Sequence, residues 1–568
     1  MAPPADLRVL EGANRWFPGP TVQLTLGAGV LAGLPVDEAA AVASRAGLPG
    51  SRAPGQPGSD RRRRFATRLA AHLVRRVAAE AGVARLPVRG RPGPGAGEVM
   101  VAWPWPRRLD AVALGRATAR LFAAAGEPDL AARIERAGRD LRRVEPEPPP
   151  ALPVPRIPVV AVTGTNGKTT VTRLVAHLGR EAGLRVGWCN TDGIYVDGEL
   201  VDEGDWSGPG GARRVLGQHG VELAVLETAR GGILRRGLGV AHNDVAVVTN
   251  VAVDHLGLGG VDTLDELAEV KGAVARITKR SGWVVLNADD PRAWRMRRET
   301  KGSWYPFTLD PDNPNIELAL DRGGRAAIVQ RGWLILLAAG RRPQRVARVA
   351  DLPVTFGGLA EYNVANALAA AAAADALGIP VKAISEGLRG FVLDSELNPG
   401  RLNLYERRGV LVVVDFAHNE AGLAGLLDVC RKLVDASARA SRRGRGKVRL
   451  GIGTAGDRTE EILHGLGLLA GAGADDVVIA EKRHYLRGRG LEEMNEIMRA
   501  GVHEAGYVGP VEAYPTELEA LQALLARAHR GDVVAVMTHV ERADLFAWLE
   551  KEGYPPVDFD RLRKLVSA

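Results

Sequence analysis

The sequence predicts an α/β protein in three parts: a smaller α+β unit, a central unit built on a parallel sheet, and a smaller doubly wound unit at the end. Three observations predict it. From residue 159 onward, short Val/Ile/Leu runs alternate with amphipathic helical segments, the pattern of a parallel sheet covered on both faces. The alternation breaks over 300–355 and restarts at about 404, so there are two such sheets. A proline-dense segment at 144–158, VEPEPPPALPVPRIP, reads as an extended spacer that sets off everything before it.

Residues 1–143 are rich in Ala, Arg and Gly. Helical patterns such as FATRLAAHLVRRVAAEAG surround two patches, LPGSRAPGQPGSDRRRR and VRGRPGPGAGE, that read as loops. The run Arg61–Arg64 has no interleaved aromatics and reads as a solvated helix face or loop rather than a nucleic-acid patch. The central unit, 159–398, has strand patterns in PVVAVTG, VELAVLETA, DVAVVTNV and GWVVLNADD, then a β-rich irregular stretch and the alanine-rich helix EYNVANALAAAAAADALG. The last unit, 399–568, repeats strand-then-helix through GVLVVVDFAH, KVRLGIG, DDVVIAE and GDVVAVMTH.

Composition bounds the function. A chain of 568 residues is too long for one core, and 46% hydrophobic with 25% charged residues is a soluble globular mixture. No apolar stretch reaches the ~20 residues of a membrane span, and the start, MAPPADLRVLEG, lacks the charged and apolar regions of a secretion signal. Cys189 and Cys430 are the only cysteines, too few for a disulfide framework. A cytoplasmic protein is expected, without nucleic-acid or membrane partners; a homo-oligomer is left open. The net charge of +8 suits a basic pocket for phosphates or an acidic substrate.

The segment VVAVTGTNGKTTVTRL, 159–174, carries the chemistry. A strand, a glycine-bearing turn, Lys-Thr and a helix make a phosphate-binding loop. Backbone N–H groups of Gly164, Thr165, Asn166, Gly167 and the helix start, through Thr170, face the anion. Lys168 adds a point charge and Thr169 a hydroxyl for Mg²⁺. The generic pattern wants a glycine five positions before Gly167, where this chain has Val162.

The variant form TGTNGKTT, followed in order by TNVAVDHLG, LNADDP at 286–291, EYNVANALAAA, PGR at 399–401 and VVDFAHN, resembles the Mur ligase superfamily of ATP-dependent amide ligases. Within it, ETARGGILRRGLG, NDVAVVTNVAVDHLGLGGVDTLDELAEVK and HYLRGRG are most similar to the Mur-like part of the cyanophycin synthetases. RVLEGANRWFPGPTV resembles their start more weakly. The resemblance implies a Mur ligase-like fold and an ADP-forming acid–amino-acid ligase that works through an acyl phosphate, with ATP and Mg²⁺. It puts Lys168 on the β/γ-phosphates, Thr169 and Glu227 on a first Mg²⁺ and His255 on a second metal, with Asp254 supporting. Lys271 is a carbamylated lysine, an unmodified lysine pairing with acyl phosphate, or a solvated helix lysine. Asn363 and Asn366 share a helix face, the second meeting the adenine edge. Arg401 and Asp415 contact phosphate and ribose, and His418 follows the same strand end. Lys168, His255, Lys271 and Arg401 are thus the catalytic set.

In the last unit, Arg458, Arg487 and Arg489 either bind a carboxylate or are plain exposed arginines. Glu460, Glu461 and Glu481 are the acids that a cationic donor would need. One departure from the cyanophycin synthetases matters: the proline spacer joins the first unit directly to the second, with no room for their ATP-grasp domain. The expected reaction is therefore addition of one amino acid, arginine first, to a carboxylate of an acidic peptide or amino-acid acceptor. A polyglutamate or cell-wall ligase, or a nucleotide-binding regulator without turnover, are the alternatives. A hinge is expected near 396–404.

Overall fold

The computed structural model describes residues 6–49, 53–95, 97–254, 256–392, 395, 398–441 and 444–567. Its first sheet is antiparallel, in the spatial order Asp6–Leu10, Thr21–Gly27, Glu98–Pro104, Arg89–Pro92. Leu24, Val101 and Trp103 point from one face into a core shared with the helices Asp60–Glu80, Ala111–Ala123 and Leu130–Arg142. The other face packs Leu10, Met100 and Ala102 under Trp16 and Phe17 of the loop between the first two strands.

Two expectations change here. The arginine run lies inside the helix Asp60–Glu80, and Arg62 is buried, donating to the carbonyls of Leu31, Leu34 and Gly55, each at 2.7 Å. Those loop carbonyls need donors that buried backbone cannot otherwise find, so this arginine is part of the core rather than a solvated face. VRGRPGPGAGE is likewise not all loop, because it supplies the edge strand Arg89–Pro92.

No helix or strand lies between Arg142 and Val159. The proline spacer is fixed at two points, where Glu147 O accepts from Trp105 Nε1 at 3.0 Å and Pro153 O from Ala241 N at 3.1 Å.

The second sheet has eleven strands among the described residues. Seven are parallel, in the order Arg325–Gln330, Ser303–Thr308, Thr278–Asn287, Asn243–Val248, Val159–Thr163, Leu223–Glu227, Val186–Cys189; two antiparallel strands extend each edge. The stretch 300–355, read as β-rich and irregular, contributes four strands. From Val159–Thr163 the chain first builds to one side and then to the other. That makes this strand the switch point, with a crevice at its carboxyl end. Helix Glu361–Ala376 buries Ala369 through Ala374 completely, and these methyl-sized side chains let it lie close against the sheet and helix Lys168–Glu181.

Among the described residues the third sheet has six strands, ordered Asn403–Arg407, Val410–Asp415, Val533–Met537, Val448–Ile452, Asp476–Ala480, Ala513–Tyr514; all but the first pairing are parallel. Apolar cores fill both faces of this sheet too. Among the described residues no helix is long and apolar enough to cross a membrane.

Candidate active site

Every residue of strand Val159–Thr163 is buried, and the turn after it needs two glycines for space as well as backbone angle. At Gly164 (φ 153°) a Cβ would lie 1.8 Å from Thr249 Oγ1; at Gly167 (φ 83°) it would lie 2.2 Å from Asn366 Oδ1. Val162, where the generic pattern has glycine, is still strand, paired with Glu227. The turn is strapped to the segment after strand Asn243–Val248. Thr165 N donates to Asn250 O at 2.9 Å, Asn166 N to Asn250 Oδ1 at 3.0 Å, and Ala252 N to Thr165 Oγ1 at 3.0 Å. The motif TNVAV is therefore a brace for the turn. Helix Lys168–Glu181 starts directly after Gly167, and its first N–H groups have no intrahelical partners. Residues 165–170 line a cavity of about 890 Å³, with Lys168 Nζ donating to Thr165 O at 2.8 Å.

Glu227 ends the neighbouring strand and lines the same cavity. It is 1% exposed, and among the described residues neither carboxylate oxygen has a hydrogen-bond partner within ordinary geometry. Burial pushes its pKa up, against the opposing pull of the Lys168 charge and the Thr169 hydroxyl. A buried carboxylate with only the Thr169 hydroxyl beside it fits a hard, oxygen-seeking cation such as Mg²⁺. Thr169 Oγ1 is 3.4 Å from Thr191 Oγ1. Lys271 is buried, which removes the solvated-lysine reading, and its Nζ donates to Gly164 O at 2.5 Å. Burial, with Lys168 adding to it, holds its pKa well below that of an ordinary lysine. His255 lies outside the described residues.

The third sheet supplies the opposite wall. Arg401 lies over the Phe416 ring (4.5 Å to its centroid), with Nη2 3.5 Å from Thr169 Oγ1. Asp415 accepts from Leu402 N at 2.9 Å and Ala417 N at 2.8 Å. It thus pins the left-handed turn at Leu402 (φ 53°) that follows Arg401. His418 lines the cavity as a neutral imidazole, its pKa pushed down to about 4, first by burial and then by Lys168, Arg458 and Arg401 outweighing Asp254. Asn366 Nδ2 donates to Asn363 Oδ1 at 2.9 Å, and both amides are buried behind the turn.

The remaining candidates divide. Arg458 is buried and pairs with Asp254 across the two units at 3.6 Å, so Asp254 also joins the wall of the cavity. Arg487 lines the cavity and contacts Asp457. Arg489 instead braces its own loop, donating to Gly456 O and Arg458 O at 3.2 Å. Glu460 and Glu461 are exposed, whereas Glu481 is engaged by Arg483 at 2.8 Å and Asn495 at 2.9 Å.

Three contacts were not anticipated. Asn419 and Asn166 exchange amide hydrogen bonds of 3.0 and 3.2 Å between the turn and the third-sheet unit. Asp192 receives Arg173 Nη2 from its own unit and Arg542 Nη1 from the other, each at 2.9 Å. Glu11 of the first unit accepts two bonds from Arg236, at 2.8 and 3.2 Å, beside the cavity. Only Asn419 had a local signal, its place next to His418.

Residues 162–374 match the Mur ligase middle domain and residues 400–539 the Mur ligase glutamate ligase domain. The cyanophycin synthetase of Crocosphaera subtropica is 39% identical over 389 residues, 68% of this chain and 43% of that protein. That of Geminocystis herdmanii is 40% identical over 382 residues, 67% of this chain and 42% of the relative. This chain thus spans less than half the length of these relatives. The UDP-N-acetylmuramoyl-L-alanyl-D-glutamate–2,6-diaminopimelate ligase of Corynebacterium efficiens is 28% identical over 66% of this chain and 68% of its own length. A pseudomurein peptide ligase type C from Methanothermus fervidus has a TM-score of 0.48 at 20% identity, over 70% of this chain and 79% of that one. With both Mur ligase domains matched, in order and over more than half its length, the chain belongs to the Mur ligase family.

Proposed function

We propose that the chain is an ATP-dependent, ADP-forming ligase that joins one amino acid, arginine being the first to try, to a carboxylate of an acidic peptide or amino-acid acceptor. One observation carries the reading. The phosphate turn, the Glu227 carboxylate and a wall of arginines meet in a single cavity closed by the third-sheet unit. The 39–40% identity to cyanophycin synthetases supports the same class of chemistry.

The residues divide the work by charge. Lys168 and the first turn of its helix receive the β- and γ-phosphates of ATP. Thr169 and Glu227 are the groups that would hold Mg²⁺, which supplies charge neutralisation on those phosphates. An acceptor carboxylate oxygen attacks the γ-phosphorus and ADP leaves, giving an acyl phosphate. The donor nitrogen then attacks the acyl carbon, phosphate departs with the C–O electron pair, and an amide remains. Arg401, reaching Thr169 from the other unit, adds positive charge where the phosphoryl group moves. Closure by Asn166–Asn419 and Asp254–Arg458 keeps water from the acyl phosphate. Lys271, buried with its pKa held well below the ordinary lysine value, suits either carbamylation or service as a donor to the turn. The spacer 144–158 joins the first and second sheets with no domain between, so the reading includes no second ATP site to extend a backbone.

The test is ADP and phosphate release over pairs of amino acids and acidic peptides, with mass spectrometry of the products. ATP binding without release for any carboxylate acceptor defeats the reading. A long Asp-Arg polymer from free amino acids defeats the single-addition part of it.

A further inference from the structure

The cavity is lined by seven Lys and Arg residues against three acids, Asp205, Glu227 and Asp254. Three of its arginines, Arg230, Arg235 and Arg236, come from the short helix Arg230–Arg236, which follows Glu227. Arg230 donates to Leu258 O, and Arg236 is held by Glu11. Elsewhere on the wall, Arg487 is engaged by Asp457, and Arg401 lies on Phe416 and reaches Thr169. Arg235 differs from all of these. Its Nε donates to the Gly231 carbonyl, one turn back in its own helix at 3.2 Å, and it pairs with no acid among the described residues. An exposed guanidinium facing a cavity, with its outer N–H fork uncommitted, is a carboxylate receptor in waiting.

The first unit fixes where that fork sits. Glu11 grips Arg236 through one carboxylate oxygen and contacts Arg213 through the other. Its backbone N–H also donates to Arg236 O at 2.8 Å. Gly12 lies so close to the following segment that a Cβ would fall 1.9 Å from Leu238 O. The end of the helix from which Arg235 projects is therefore set by a residue about 220 positions earlier in the chain, in the unit that matches neither Mur ligase domain.

We propose that the acceptor carries a second anionic group besides the carboxylate that reacts, that Arg235 binds this group, and that Glu11 is the positioning residue for Arg235. This rests on the ligase reading above and specifies its substrate class: a dicarboxylate or larger acidic acceptor. The first-sheet unit then shapes acceptor choice rather than serving as a separate module.

Two acceptors test it: N-acetyl-Ala-Asp, with two carboxylates, and its C-terminal amide, with only the side-chain carboxylate. Binding and ADP release are measured for the wild type, Arg235→Gln, Arg235→Lys and Glu11→Gln. The wild type is expected to favour the dicarboxylate by about ten-fold in KM, the size of one charge-assisted hydrogen bond. Arg235→Gln should bring the two within about two-fold, and Arg235→Lys should recover part of the preference. Glu11→Gln should narrow the ratio while leaving the KM for ATP and kcat at saturation in place; a merely structural role would move all of them together. Retention of the full preference in Arg235→Gln overturns the proposal. So does equal use of both acceptors by the wild type, or a loss confined to donor amino acid against donor amide. Those outcomes leave the ligase reading standing, whereas ATP binding with no ADP release for either acceptor removes both.

Discussion

Glu227 and Glu517 are both glutamates at 1% exposure, one closing a strand of the second sheet and the other opening the helix Glu517–Ala526 of the third-sheet unit. Glu517 is surrounded by donors: Lys482 Nζ at 2.6 Å, Thr538 Oγ1 at 2.7 Å, His539 N at 2.8 Å and Glu541 N at 3.1 Å. Although burial pushes its pKa up, the Lys482 ammonium and these hydrogen bonds bring it down to about 2. Among the described residues Glu227 has no such donor set, only the Thr169 hydroxyl and the Lys168 charge pulling against burial, and its pKa moves the other way. Burial alone therefore says little about what a carboxylate is for. A complete donor set marks finished structure, tying the ends of three strands together; a nearly empty one is what the proposed cation ligand would need.

The largest effect that would break this contrast is at the phosphate turn. Lys168→Ala should lower ATP turnover by roughly 10²–10³-fold or more, because one preorganised charge on the moving phosphoryl group is worth that much. Turnover equal to wild type would remove the phosphate assignment, and with it the reason for reading Glu227 as a cation ligand. Thermal unfolding should change little, since among the described residues the Lys168 ammonium donates only to the Thr165 carbonyl.

Glu227→Gln should also cost activity, and it should raise stability without metal at neutral pH. A carboxyl whose folded pKa is raised favours the protonated form in the fold, so its contribution is best below about pH 4.3 and is lost as pH climbs through the raised value. Replacing it by an amide removes that loss, so the gain in Tm should be clear at pH 7–8 and absent near pH 4. Mg²⁺ with ATP should raise the wild-type Tm more than the variant's. For Glu517 every sign is opposite. Glu517→Gln or Lys482→Met should destabilise by about 3–5 kcal/mol at neutral pH, the usual cost of stranding one member of a buried pair. The wild-type contribution of Glu517 should be complete above about pH 4.5 and fade as pH falls toward its folded value. Denaturant titrations at several pH values read both signs in one series, and equal behaviour of the two variants would erase the distinction.

The fold was legible where burial on both faces leaves continuous apolar runs, as in VVAVT and VELAVLE, and where alanine fills a tight helix contact. The glycine turn after Thr163 was legible because its glycines answer to backbone geometry that reads locally. Arg62 was not, since a core arginine and a solvated one look alike until the carbonyls of Leu31, Leu34 and Gly55 converge on it. The same limit hid Glu11, Asp192 and Arg542, whose partners lie about 200–350 residues away in sequence. Glu481 shows the converse, an acid that looked available for a cationic donor but is already taken by Arg483 and Asn495.

Asp192 sharpens the comparison with a carboxylate whose partners depend on closure. Arg173 belongs to its own unit, whereas Arg542 reaches it from the helix Arg542–Lys551 and also donates to Pro399 O at 3.2 Å, within the expected hinge. Burial pushes its pKa up, but Arg173, Arg542 and Arg401 together hold it below the ordinary aspartate value. If the two units open, Asp192 keeps Arg173 and loses Arg542, an intermediate case between the saturated Glu517 and the nearly bare Glu227. Arg542→Gln should therefore cost only about 0.5–1 kcal/mol in stability, since one partner remains and the site is partly solvated. Its effect should fall on closure instead. With ATP and acceptor bound, solution scattering should show less compaction than in the wild type, and the KM for ATP should rise a few-fold with a smaller change in kcat. Compaction equal to wild type would mean that Asn166–Asn419 and Asp254–Arg458 hold the units together without this latch, and Asp192 would then belong with Glu517 as finished structure.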